Sequence, residues 1–173
     1  MLRSYPEDDA VSPVIGIVLN VAIVMILAML VLLMFHLPSL YGDNGGIPVI
    51  FTITSVDSID EITHTMNFDS RIVILHKGMS NYPNRDLSAK FFKNGVQVNS
   101  RILTMNGHDF IETTHTGVQW MGGSGCSNDF WRPEERICID FTDGTFRPGD
   151  SIQMDIIDKN TNSVISRHTY AYK

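Results

Sequence analysis

The sequence predicts a long apolar helix at the amino terminus, followed by an all-β outer domain of the immunoglobulin-like, β-sandwich type. Three observations predict it. Between Asp9 and Asp43 there is no Asp, Glu, Lys or Arg. Beyond residue 47, short β-branched stretches alternate apolar with polar side chains, the period of a half-buried strand. Turn residues (Gly, Asn, Asp, Pro) separate those stretches at the spacing of a sandwich.

From Pro13 to Phe35 is 23 residues, about 34 Å of helix at a rise of 1.5 Å per residue. The hydrocarbon core of a bilayer is about 30 Å thick, so the length predicts a membrane-spanning helix. Ser12 and Pro13 suit its start: a hydroxyl to accept from free amides, then a residue with no amide to satisfy. Gly16 and Asn20 are four apart and share one face. A small residue and an amide on one stripe favour close helix packing and interhelical hydrogen bonds, although a plain anchor tolerates the same pair. Pro38 and Gly42 end the helix, and residues 38–47 read as a hinge. The first nine residues carry three acids against Arg3, and the apolar run is too long for a secretory signal, so it is expected to be retained. Arg3 and the amino terminus are the cations nearest the helix, which places the large domain outside the cell as a single-pass precursor.

Composition narrows the function. The net charge of −6 offers no basic surface for a phosphate backbone, so no nucleic-acid partner is expected. The two cysteines, Cys126 and Cys138, are too few for a thiolate zinc cage. Outside the cell they predict a disulfide closing a 12-residue spacing, stabilising by about 3 kcal/mol in the chain-entropy model. Two free thiols are the alternative.

Pro48–Val56 reads as the first strand, with further candidates at Ile59–Phe68 and Arg71–His76. Asn94-Gly95 between Lys90-Phe-Phe-Lys and Val-Gln-Val98 is a hairpin signal, because both residues tolerate the positive φ of a type I′ turn. Residues 105–120 leave room for one or two short strands. Arg136–Phe141, Ser151–Ile157 and Ser163–Tyr172 alternate again, giving seven or eight strands in all. Cys138 should share a mixed face with Arg136 and Asp140.

Chemistry-bearing patterns are sparse. The six histidines form neither His-x-x-x-His nor His-Glu-x-x-His, so no metal is expected. Gly122–Gly125 is not followed by Gly-Lys-Ser/Thr and reads as a flexible loop, not a phosphate cradle. Trp120 and Trp131 bracket that loop. They either stack on a sugar or a neighbouring subunit, or pack into the core. No catalytic spacing and no cofactor motif is present, and no enzymatic activity is expected.

Asp8-Asp-Ala-Val-Ser-Pro-Val-Ile-Gly16, running into the apolar helix, resembles the amino-terminal signature of archaeal type IV pilins. Phe146-Arg-Pro-Gly-Asp150 also resembles the distal part of that family's head domains. The resemblance implies a leader, residues 1–10, removed by a prepilin peptidase between Ala10 and Val11, or alternatively between Asp9 and Ala10. Residues 11–37 would then be membrane anchor before assembly and filament core after it, with residues 48–173 as the head. The family often has a Lys or Arg two residues before the cut, where this chain has Asp9. The glutamate found at mature position five in bacterial relatives is replaced by Ile15. The implied function is a structural subunit of an archaeal pilus at the cell surface, polymerising with copies of itself with the help of the assembly machinery. The alternative is a membrane-anchored extracellular β-sandwich that binds glycan or protein without polymerising.

Overall fold

The computed structural model describes residues 11–36, 46–60 and 63–173, and within the first stretch it describes side chains over 15–31. The chain divides into two units, Met1–Ser39 and Leu40–Lys173. The first holds helix α1 (Val11–His36). From Ile15 to Val31 every side chain is exposed, and none of them is charged.

The expected fold class, with its long transmembrane helix, is corrected here. Among the described residues no helix is long and apolar enough to cross a membrane. The helical stretch with described side chains, residues 15–31, is shorter than the roughly 20 apolar residues that a span requires. The single-pass membrane precursor expected from that span is corrected with it. The leader, including Ala10, and residues 38–45 of the expected hinge lie outside the described residues.

The second unit is built from antiparallel sheets. One runs in the order β1 (Phe51–Ile59), β2 (Met66–His76), β8 (Arg136–Phe141), β6 (Val118–Gly122). The other runs β10 (Ser163–Ala171), β9 (Ser151–Asp158), β4 (Leu87–Lys93), β5 (Val96–Gln97). A two-residue pair, β3 (Tyr82–Pro83) and β7 (Phe130–Trp131), stands apart. Setting that pair aside, the strand order matches A-B-E-D against G-F-C-C′ in an immunoglobulin-type sandwich.

Alternation sets the core. Ile72, Ile74, Ile137, Ile139 and Phe141 from one sheet meet Leu87, Phe91, Ile152, Met154 and Ile156 from the other, all essentially buried. Phe141 makes edge contacts with Phe91 and Phe146, at centroid distances of 4.9 and 5.3 Å. The Asn94-Gly95 hairpin forms with φ of 51° and 83°, the positive pair a type I′ turn requires. Asn94 is also tied across to Asp150 and Ser151 by its side chain.

The two strands expected over 59–76 are one strand, β2, preceded by a turn in which Asp60 Oδ1 accepts from the amide and hydroxyl of Thr63 at 2.6 and 2.8 Å. Phe68 and Ser70 have positive φ of 58° and 62°. The Ser70 hydroxyl holds this distortion by donating to Phe68 O and accepting from the Phe146 amide, at 2.8 and 3.0 Å. Of the one or two strands expected over residues 105–120, one is met by the start of β6 at Val118, and the residues before it hold two short 3₁₀ turns, Gly107–Asp109 and Glu112–Thr114.

Strand β1 is an edge strand, and its first half is closed by side chains of β10. Ser166 Oγ accepts from the amides of Ile50 and Phe51 at 2.9 and 3.0 Å, and His168 Nδ1 accepts from Ile53 at 3.1 Å. These bonds occupy amides that an open edge would offer to another chain.

Candidate functional site

The outward face of the β1-β2-β8-β6 sheet gathers the side chains with the most chemical potential. Along β8, Ile137, Ile139 and Phe141 turn inward, so Arg136, Cys138 and Asp140 face out. Register then aligns one residue from each strand: Asp57 opposite Arg71, Arg71 opposite Asp140, and Asp140 opposite Trp120. With strands about 4.8 Å apart, this row of four spans roughly 14 Å. Arg71 lies 3.4 Å from an Asp57 carboxylate oxygen and 3.9 Å from Asp69.

Trp120 ends the row. Its indole occupies the space above Gly122, where an added Cβ would come within 2.1 Å of Cζ2. The missing side chain at Gly122 thus lets the ring lie along its own strand. Trp120 remains 49% exposed, whereas Trp131 is 0% exposed. Trp131 is a core residue: it stacks on Phe51 at 4.3 Å and donates from its indole to Glu135 O at 3.0 Å.

Acid chemistry on this face is perturbed. Asp140 is pushed up to about 6, first by burial and then by the neighbouring Asp69 and Asp143 charges, with Arg71 opposing. One of its oxygens, Oδ1, is buried with no hydrogen-bond partner. A raised carboxyl costs stability in its ionised form, so its contribution improves as pH falls from about 6 toward the ordinary unfolded value near 4. Asp140→Asn should therefore be more stable than the native chain at pH 7.5, by about 1–2 kcal/mol once solvent screening of a half-buried group is allowed for. The gap should close below pH 5 in urea melts. A gap independent of pH would show that the Asp140 charge is not its source.

The expected disulfide is corrected: both cysteines are free. Cys126 is buried in the loop after β6, its Sγ turned to Gly123 O at 3.3 Å and packed over Gly107. Cys138 faces out from β8, half-buried on the mixed face with Arg136 and Asp140. Burial pushes the Cys126 thiol up to about 11 and raises Cys138 as well, which keeps both protonated and unreactive at neutral pH.

Gly16 and Asn20 stand on the exposed surface of α1, and nothing comes within 4 Å of a Cβ built on Gly16. Val11, Ser12 and Pro13 lie in the helix, but their side chains fall outside the described residues. His76 and His115 are buried. Among the described residues no group of three or more His, Cys, Asp or Glu is placed to hold a metal ion.

Asn84 carries no pattern by which the sequence singles it out. It is fully buried and joins three segments. Its side-chain amide donates to Gly125 O and Asn128 O, both at 2.7 Å, and its main-chain carbonyl accepts from the Met105 amide at 3.1 Å. Asn84 thus fixes the 122–129 loop beside the sheet edge that carries Trp120. An open groove of about 620 Å³ adjoins the row through Asp57 and Arg71 and lies between the end of β1 and the carboxyl terminus, lined also by Val56, Ile59, His64 and Tyr172.

No protein-family model matches the chain, and no curated protein matches it. The pilin-like opening residues thus gain no support from a family match. Among solved structures the chain is similar to the archaellum periplasmic stator protein FlaG from Sulfolobus acidocaldarius, with a TM-score of 0.38 and 10% identity over 69% of this chain and 95% of that one. A likeness at this level assigns neither family nor role.

Proposed function

We propose that this chain is a structural subunit of a pilus-like surface filament, joined to copies of itself through α1 and presenting its β-domain outward. One observation carries the reading: from Ile15 to Val31 the helix is exposed on every side and apolar but for Asn20. A helix apolar on one face packs against one partner surface, whereas one apolar all round belongs inside a larger apolar assembly. Packing among several copies of α1 would cover all sides at once, and Gly16 with Asn20 supplies a stripe for close approach and hydrogen bonding. In this reading a leader peptidase cuts between Ala10 and Val11 before assembly.

Charge placed on the helix tests it. Val21→Lys and Ile23→Lys sit about 200° apart around the axis, and each would bury an unpaired ammonium in the assembled core, at a cost of several kcal/mol. Both should abolish sheared surface filaments while leaving the melting curve of the β-domain unchanged. Filaments of native yield from both variants would refute the reading, as would filament subunits that retain Met1 in peptide mapping.

A second reading is favoured by the exposure of Trp120 alone: a surface module that recognises a ligand without polymerising. Native filaments containing this chain decide against it.

A further inference from the structure

We infer that the outward face of the β1-β2-β8-β6 sheet is a binding site for a neutral glycan, with Trp120 as the stacking platform and the Asp57–Arg71–Asp140 row as its polar partner. This inference is independent of whether the chain polymerises.

The platform is built, not incidental. Trp120 sits at an edge strand with its indole laid over Gly122, where a side chain would collide at 2.1 Å. The ring packs on backbone and remains 49% exposed, a disposition that suits stacking against the C–H face of a sugar ring. In register Trp120 is opposite Asp140, with Arg71 one strand further on, and the ring over Gly122 lies next to them at the position opposite Cys138. Sugar hydroxyls both donate and accept, and this row supplies both complements: carboxylates that accept and a guanidinium that donates. A roughly 14 Å row of four positions is the length of a short oligosaccharide and not of a single ring.

Charge and area select among ligands. Asp57 and Asp69 flank Arg71, and the Asp69 and Asp143 charges reach Asp140, an anionic surplus that disfavours sulfated or carboxylated sugars. A protein partner needs about 800 Å² on each side, with a desolvated apolar centre. The row instead offers a single large aromatic beside charged groups, while one sugar ring can use a single aromatic face and a few convergent polar groups.

The test is a titration of the full chain with chitohexaose, xylohexaose and mannopentaose, with a heparin hexasaccharide as the anionic comparison. The chain has two tryptophans, and Trp131 is buried, so a ligand-induced shift in emission reports Trp120. At least one neutral oligosaccharide should shift the emission saturably. Trp120→Ala should weaken binding, measured by calorimetry, by tenfold or more. Gly122→Ala keeps the indole but displaces it from the strand, and should weaken binding severalfold with an unchanged melting curve. The inference is overturned if none of the three neutral sugars binds, if binding survives Trp120→Ala, or if only the heparin fragment binds. Trp120-dependent self-association in sedimentation without sugar would also overturn it, by assigning the face to a second copy.

Discussion

Trp131→Ala should destabilise the β-domain by about 3–5 kcal/mol, the range for emptying an aromatic site in a packed core. The ring is 0% exposed and touches elements far apart in sequence. It stacks on Phe51 at 4.3 Å, approaches His76 at 6.0 Å, and bonds Glu135 O through its indole nitrogen. Its neighbour Gly125 leaves the room it needs, since a Cβ there would come within 2.5 Å of Nε1. Alanine forfeits the apolar burial, leaves a cavity between β1 and β7, and removes one of the two donors to Glu135 O, which keeps the His76 amide at 3.1 Å. Trp131→Phe should recover more than half of the loss, because it restores volume but not the hydrogen bond. Urea melts of the three proteins check this. A loss below 1 kcal/mol for the alanine variant would show that the site collapses freely, contrary to the packing described.

Arg167→Ala should cost a similar amount, about 3–5 kcal/mol, for an electrostatic reason. Arg167 grips Asp155 with two nearly parallel bonds of 2.7 and 2.6 Å, and the Asp155 side chain is only 5% exposed. Gln153 donates to the same carboxylate at 3.0 Å. Removing the guanidinium leaves a carboxylate buried with a single neutral donor, and the cost of that desolvated charge exceeds the net worth of the intact pair. The double change Arg167→Met with Asp155→Leu should therefore be far less destabilising than Arg167→Ala alone. Equal losses in the two would instead attribute the effect to packing by the arginine stem.

What the sequence made legible was local. Asn94-Gly95 declared its hairpin because the positive φ it needs is a property of two adjacent residues. The in-out alternation of Arg136–Phe141 told which side chains share the face with Cys138. What it did not reveal was set by partners remote along the chain. Pairings such as Arg71 with Asp140, and Ala89 with Ile156, depend on how strands meet and leave no mark within either strand. The row from Asp57 to Trp120 was invisible for that reason, although each member could be read as outward-facing. Phe68 and Ser70 looked like a break between two strands because their distortion is held by Phe146, 76 residues further on. Asn84 leaves no local signal, since its role rests on carbonyls that only the folded loop brings near.

The disulfide was a reading of composition and compartment, and both thiols are free: Cys126 turns to Gly123 while Cys138 faces out from β8. The membrane span was a reading of length, and it is not met among the described residues. The apolar, all-round exposed surface of α1 stands on residues whose side chains are described, and it is there that self-assembly is to be tested.

Photo-crosslinking from α1 tests that claim most directly. A photoreactive amino acid placed at Val21 or at Ile23, on opposite sides of the helix, would be activated on intact cells and the products resolved by size and mass. Assembly through α1 predicts ladders of multimers of this chain from both positions. Uncrosslinked monomer from both positions, or adducts to other proteins alone, would contradict it.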